Sequence, residues 1–181
     1  MIHTLGYLIE KDLLKYGTKE FYKIQKTLQQ FLPISFNHTI QKYSNYLNQD
    51  ITRFNLYEKK DLFEIKLIGW KPNATSSIHD HSKYGCVYYM LQGSLNEKRY
   101  HLTNLTEYSH NQLKLGDINY IDNTIGYHAM SNQTNMNAFS LHIYSPPNYD
   151  CRTIETSNQF IKPIIVEDNE NTCKKHKPIE V

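Results

Sequence analysis

Glycine is scarce in this chain, with 7 residues among 181. Neither a glycine-rich phosphate loop nor a dinucleotide fingerprint occurs, which argues against nucleotide-binding classes. An excess of either charge is missing too: 20 Lys and Arg against 18 Asp and Glu leave a formal net charge of +2. That balance excludes a strong electrostatic case for nucleic acid or an anionic membrane. The one dense basic stretch, Lys174–Lys175–His176–Lys177, reads as a short solvated tail. No apolar run reaches the roughly 18 residues of a membrane-spanning helix. The N-terminus lacks the charged, apolar, small-residue order of a secretory signal. Cysteine is limited to Cys86, Cys151 and Cys173. So sparse and odd a set predicts a reducing, cytoplasmic setting rather than a disulfide framework. Alanine is rare while Tyr, Asn, Ile and Lys are frequent, a bias toward A/T-rich codons that reads as genomic.

The length is that of one domain able to bury roughly 70% of its unfolded surface. Residues 1–47 read as a helical segment. Leu5, Leu8, Ile9, Leu13 and Tyr16 have helical spacing, and Gly17 breaks the run. Thr18 is a candidate N-cap for a second helix carrying Phe21, Ile24, Leu28 and Phe31, which Pro33 ends. A third short helix is expected through Ile40, Tyr43 and Leu47. From residue 51 the texture becomes short apolar and aromatic segments between turn residues. Strands are expected at 53–57, 62–70, 86–91, 95–101, 118–121, 127–131, 138–145 and 161–166. Many short strands at this spacing indicate an antiparallel sandwich or small barrel over 51–166, in a single domain spanning 1–181 with a loose tail at 167–181.

Of the nine histidines, His3, His38, His101, His110 and His176 have no partner pattern and read as surface or capping residues. His79 and His81 differ. In an extended segment residues i and i+2 share a face, so the two imidazoles can converge on one metal ion. Four residues then lead to Cys86 and six more to Gly93; later come Gly116–Asp117 and His128, with Asn132 four positions on. A Gly-Asp turn, a short strand and a histidine in the next strand would bring in a third imidazole.

This pair of motifs resembles the two cupin motifs, in most of which the position of Cys86 holds a glutamate ligand. The implied site is three histidines with open coordination positions. Three neutral imidazoles leave a divalent ion its full charge, which favours an anionic ligand such as a thiolate. Spacing alone does not choose between zinc and iron. Along Ser140–Leu141–His142–Ile143–Tyr144 polar and apolar residues alternate, and the polar face reads either as solvated or as an interior wall beside the metal.

Four stretches together are similar to cysteine dioxygenase: Ser76–Ser77–Ile78–His79–Asp80–His81 with Cys86 and Leu91–Gln92–Gly93; Tyr120–Ile121–Asp122–Asn123–Thr124–Ile125–Gly126–Tyr127–His128; Ser140 to Pro147 with Cys151 after it; and Arg53 in Thr52–Arg53–Phe54, with Trp70 before the first motif. The resemblance covers roughly residues 45–152. It implies a mainly β, cupin-type, jelly-roll-like small barrel behind the helical segment. It implies one Fe(II) per chain on His79, His81 and His128, and oxidation of L-cysteine by O2 to cysteine sulfinic acid, as in cysteine catabolism. Arg53 would pair with the substrate carboxylate. Cys86 and Tyr144 would form a thioether cross-link, His142 would orient the Tyr144 hydroxyl, Cys151 would sit at the pocket mouth, and Trp70 and Ser140 behind it. No nucleic-acid or membrane partner is implied, and a monomer is expected.

Apart from the resemblance, Cys86 reads as an ordinary buried thiol, and only the family register pairs it with Tyr144. Ile51 replaces a pocket tyrosine of the family, and Ile164 or Val166 would fill the place of a pocket methionine, so a more apolar pocket is expected. Other readings are a dioxygenase of 3-mercaptopropionate or cysteamine, a zinc-dependent or isomerase-type cupin, and a non-catalytic metal-binding cupin. Arg53 favours cysteine within the first group.

Overall fold

The computed structural model describes residues 1–31, 36–155 and 164–166. Helix α1 (Ile2–Tyr16) buries Leu5, Ile9 and Leu13, one side chain every four residues. A 3-10 turn (Thr18–Lys23) follows, then α2 (Ile24–Phe31), which buries Ile24 and Leu28, and α3 (Asn37–Ser44), which buries Ile40. The second helix therefore starts at Ile24 and not after Thr18. Gly17 caps the 3-10 turn, and Glu20 (φ −100°, ψ 29°) interrupts helical geometry inside it. Pro33 lies outside the described residues, as do 161–163 of the last expected strand and the tail from 167.

Among the described residues ten strands follow: β1 (Ile51–Lys59), β2 (Phe63–Trp70), β3 (Cys86–Gln92), β4 (Ser94–Tyr100), β5 (Glu107–Lys114), β6 (Ile118–Ile121), β7 (Tyr127–Ser131), β8 (Ala138–Tyr144), β9 (Thr153–Glu155) and β10 (Ile164–Val166). They form a five-stranded sheet in the order β1-β2-β8-β3-β6, a three-stranded sheet β5-β4-β7, and the pair β10-β9. Neighbouring strands in each sheet run antiparallel. The mainly β architecture with a helical N-terminal segment is the one the sequence indicates. Two strands are additions to it. β5 has one buried residue, Leu113, and is otherwise polar on both faces, so it carries no alternation to read. β9 has three residues.

The five-stranded sheet is covered on both faces. On its outer face Phe54, Phe63, Ile65, Leu67, Val87, Phe139, Leu141 and Ile143 pack with Leu5, Ile9, Phe21, Ile24 and Leu28 of the helical segment. Each such side chain contributes roughly 1.5–3 kcal/mol on burial. On the inner face Ile68, Trp70, Cys86, Tyr88, Met90 and Ala138 form a second cluster with Leu95, Leu113 and Met130 of the three-stranded sheet. That second interior holds the polar residues of the site. Gly85, just before β3, has φ +90°, and a Cβ there would lie 2.6 Å from the Ile121 carbonyl oxygen and the Tyr120 ring. Only glycine lets the chain enter β3 so close to β6.

Candidate functional site

The stretch from Lys71 to Gly85 is irregular, yet backbone pairing fixes it where the histidines lie. His79 and His128 exchange N–H···O bonds of 3.0 and 3.4 Å, which places them directly opposite each other. His81 follows two residues on. Its N–H donates to Asn123 Oδ1 (2.8 Å), and its carbonyl accepts from Asn123 Nδ2 (2.7 Å), so one side chain clamps its backbone. Asp80, between the two histidines, accepts from the Arg152 backbone N–H and Nε, both at 2.7 Å, and this ties the segment to the chain after Cys151.

One ring nitrogen from each of His79, His81 and His128 falls within 4.8 Å of the other two. Their second nitrogens settle the tautomers. His79 Nδ1–H donates to the Ser77 carbonyl (2.8 Å) and His128 Nδ1–H to Glu97 Oε1 (2.7 Å). The Nε2 lone pairs of His79 and His128 therefore face each other at 3.1 Å, and both ring nitrogens of buried His81 have no hydrogen-bond partner. Converging lone pairs and an orphaned imidazole fit a cation between them, and three imidazoles suit a first-row divalent metal. Burial, then the neighbouring His128, lowers His79 to about 3, and burial lowers His81 as well, so both stay neutral as ligands must.

Behind His128 stands a network that the sequence reading did not single out. Glu97 on β4 is fully buried and accepts from His128 and from the Tyr88 hydroxyl. Arg99, two residues along the same strand face, has Nε 3.1 Å from Glu97 Oε2 and donates from Nη2 to Tyr88 Oη (2.9 Å) and the Tyr120 carbonyl (3.2 Å). Burial would raise the Glu97 carboxyl, but the His128 hydrogen bond, helped by Arg99 and Tyr88, outweighs it and holds the group at about 2. A carboxylate on the outer nitrogen of a ligand histidine fixes its ring and raises its basicity. The signal in the sequence was Glu97-x-Arg99, a pattern that ordinarily marks a solvated strand face.

The polar face of β8 is an interior wall. Ser140 and His142 are buried, and Tyr144 lines a narrow pocket of about 40 Å³. Trp70 Nε1–H donates to Ser140 Oγ (2.9 Å), and Ser140 Oγ lies 2.9 Å from His142 Nε2. The Ser140 hydroxyl has no other acceptor among the described contacts, so its proton goes to His142 Nε2. His142 Nδ1–H then faces Tyr144 Oη (3.3 Å) and Cys86 Sγ (3.7 Å). Burial keeps His142 neutral and raises the Tyr144 phenol and the Cys86 thiol well above their usual values. Cys86 and Tyr144 are directly opposite across β3 and β8, so both point to the same face of the sheet.

The same pocket is lined by Arg53, Glu64, Lys66, His79, Asp80, Tyr149 and Cys151. It is more charged than the sequence predicts. Ile51 packs in the inner apolar cluster instead of lining it, and the side chains of Ile164 and Val166 lie outside the described set. Cys151 is disulfide-bonded, a departure from the expectation drawn from the sparse cysteines. His3, His101 and His110 lie apart, against Tyr57, Tyr108 and Glu107. No helix among the described residues is long and apolar enough to cross a membrane.

The family model described as cysteine dioxygenase type I matches residues 20–157. Cysteine dioxygenase type 1 of Danio rerio is 29% identical over 162 residues, 86% of this chain and 77% of that protein. The Homo sapiens protein of the same name is 29% identical over 119 residues, 62% of this chain and 60% of its own length. Among solved structures, an uncharacterized conserved protein with a double-stranded β-helix domain from Klebsiella pneumoniae superposes with a TM-score of 0.49 at 16% identity, over 60% of this chain and 88% of that one.

Proposed function

The chain belongs to the cysteine dioxygenase type I family, and from that premise we propose that it oxidises L-cysteine with O2 to cysteine sulfinic acid, at a ferrous ion held by His79, His81 and His128. The observation that carries this reading is a shared cavity: His79, Arg53 and Tyr144 line one narrow pocket. A thiol at the metal and a carboxylate at a guanidinium require that juxtaposition. The reaction balances without another reductant: a thiolate and one O2 give a sulfinate, forming two S–O bonds and breaking the O–O bond. When bound, the ferrous ion supplies open coordination positions and the redox reactivity that O2 needs to react with a closed-shell thiolate.

The chain's own residues do the rest. Arg53 presents a planar fork to the carboxylate and sets the direction in which the thiol points. Glu97 holds the His128 ring with Nε2 turned inward. His142, fixed by Ser140 and Trp70, gives its Nδ1–H to Tyr144 Oη, which leaves the phenolic proton free to be aimed into the pocket. The raised Tyr144 value keeps that proton in place as a hydrogen-bond donor. Cys86 and Tyr144 supply the two atoms of a thioether, formed by loss of the thiol hydrogen and one ring hydrogen with O2 as electron acceptor. Pinning the phenol in this way removes rotamer freedom and presets the hydroxyl.

Oxygen uptake on added L-cysteine, with protein stripped and reloaded with Fe(II) or Zn(II), tests the proposal. Uptake with iron alone, and sulfinate as product, is expected. Equal turnover with zinc, or uptake with cysteamine and not with cysteine, would overturn it.

A further inference from the structure

Two charged residues on the pocket wall have no part in the machinery above. Glu64 and Lys66 lie two apart on β2 and so share its inner face. Register sets Glu64 beside Tyr144 and Lys66 beside His142. Lys66 Nζ is 2.9 Å from Glu64 Oε1 and 5.5 Å from the centre of the Tyr144 ring. The Glu64 side chain is 3% exposed and that of Lys66 18%. Both line the pocket together with Arg53.

A buried ion pair is a poor stabiliser, because desolvation offsets most of its attraction, and an apolar pair would seal this wall at least as well. What the pair does achieve is an ammonium donor held at the cavity wall. Asp80, the other acid there, is already engaged by Arg152. Glu64 holds the Lys66 ammonium on the same pocket wall as Arg53. A small thiol carrying a carboxylate is anionic at both ends once its sulfur is deprotonated.

We propose that Lys66 is a second carboxylate-recognising residue beside Arg53, held in place by Glu64, and that the pocket is thereby selective for small thiols that bear a carboxylate. The proposal rests on the dioxygenase reading and narrows its substrate class. An ammonium has three donors: one can stay on Glu64 while another meets the substrate, and the face of the Tyr144 ring accommodates the cation over it.

The test compares iron-loaded wild type, Lys66→Met and the double variant Glu64→Gln/Lys66→Met, using L-cysteine, 3-mercaptopropionate and cysteamine. KM comes from oxygen uptake and Kd from anaerobic titration calorimetry. Both variants should weaken cysteine and 3-mercaptopropionate by about tenfold to a hundredfold, the range for one charge-assisted hydrogen bond, and leave cysteamine within about twofold. An unchanged Kd for the two carboxylates in Lys66→Met overturns the proposal, as does equal weakening of all three thiols. Recovery of wild-type affinity in the double variant also overturns it, because the single variant's defect would then be repulsion by an unpaired Glu64. Wild type that consumes no oxygen with any of the thiols would sink the dioxygenase reading instead, and the calorimetric comparison would still decide Lys66.

Discussion

On its outer face the five-stranded sheet shows Phe63, Ile65 and Leu67 of β2 and Phe139, Leu141 and Ile143 of β8 to the helices. On its inner face the same strands carry Glu64, Lys66, Ser140, His142 and Tyr144, of which Glu64, Ser140 and His142 are buried and Lys66 and Tyr144 half-buried. One face is apolar and continuous, so it supplies stability without chemistry. The other is a row of polar groups whose partners are one another. Burial there costs desolvation, which hydrogen bonds and ion pairs must offset. The arrangement teaches that the helical layer is what lets the sheet give its second interior to a reaction: packing against the helices fixes the strands that aim the polar row.

The sharpest way to break the comparison is to truncate one residue on each side. His128→Ala should lose most of its metal on gel filtration followed by metal analysis, with affinity falling more than about 100-fold, beyond the range for residues that only support a ligand. Leu141→Ala should cost about 2–5 kcal/mol in denaturant unfolding and keep its metal. Full metal occupancy in His128→Ala would dissolve the distinction. Next in size is Arg53→Ala, which should retain metal but raise the cysteine KM about 30-fold to 1000-fold, from roughly 2–4 kcal/mol for a carboxylate left unpaired. Arg53→Lys should recover only part, since lysine lacks the planar fork.

Glu97→Gln keeps an acceptor for His128 Nδ1 but removes the charge. Its metal affinity should fall about 10–100-fold in a competition titration with a chromophoric chelator, and its unfolding midpoint should fall as well, because Arg99 loses its carboxylate partner. A smaller effect attends Cys86→Ala, which should keep metal and partial turnover, whereas Tyr144→Phe should lose more because the hydroxyl itself is gone. Intact-mass analysis of aerobically matured wild type should show loss of two hydrogens, confined to peptides holding Cys86 and Tyr144. Persistence of the full mass after many turnovers would contradict the cross-link.

The last expected effect is on the pH dependence of the metal-free protein. His79 lies at about 3 when folded against its usual 6.5, and Glu97 at about 2 against 4.5. In both cases the unfolded chain binds more protons, so stability is lost as pH falls, from about 6.5 downward for His79 and from about 4.5 downward for Glu97. Thermal midpoints measured between pH 7 and 4 should decline, and a flat profile would place these side chains in a less buried setting.

Much of the site was legible because its residues sit in short spacings. Ser140-x-His142-x-Tyr144 reach their places through the period of two of β8, while His79-x-His81 lies in an irregular stretch held by an isolated bridge to His128 at the start of β7. The outer core was legible too, from Leu5, Ile9 and Leu13. What stayed hidden has one physical cause. Glu64-x-Lys66 and Glu97-x-Arg99 have the alternation of a half-solvated strand, and nothing local tells a strand face turned to water from one turned to a polar cavity. The same ambiguity held for β8, and burial resolved it. β5 escaped notice for the opposite reason, since only Leu113 reports an inside.

The central claim is that the polar interior oxidises a thiol with both atoms of one O2. Incubation of iron-loaded protein with L-cysteine under oxygen-18 gas, followed by mass spectrometry of the product, addresses it directly. The account predicts cysteine sulfinic acid carrying two labelled oxygens from a single O2 molecule. A product with one labelled oxygen or none, or cystine as the main product, would contradict it.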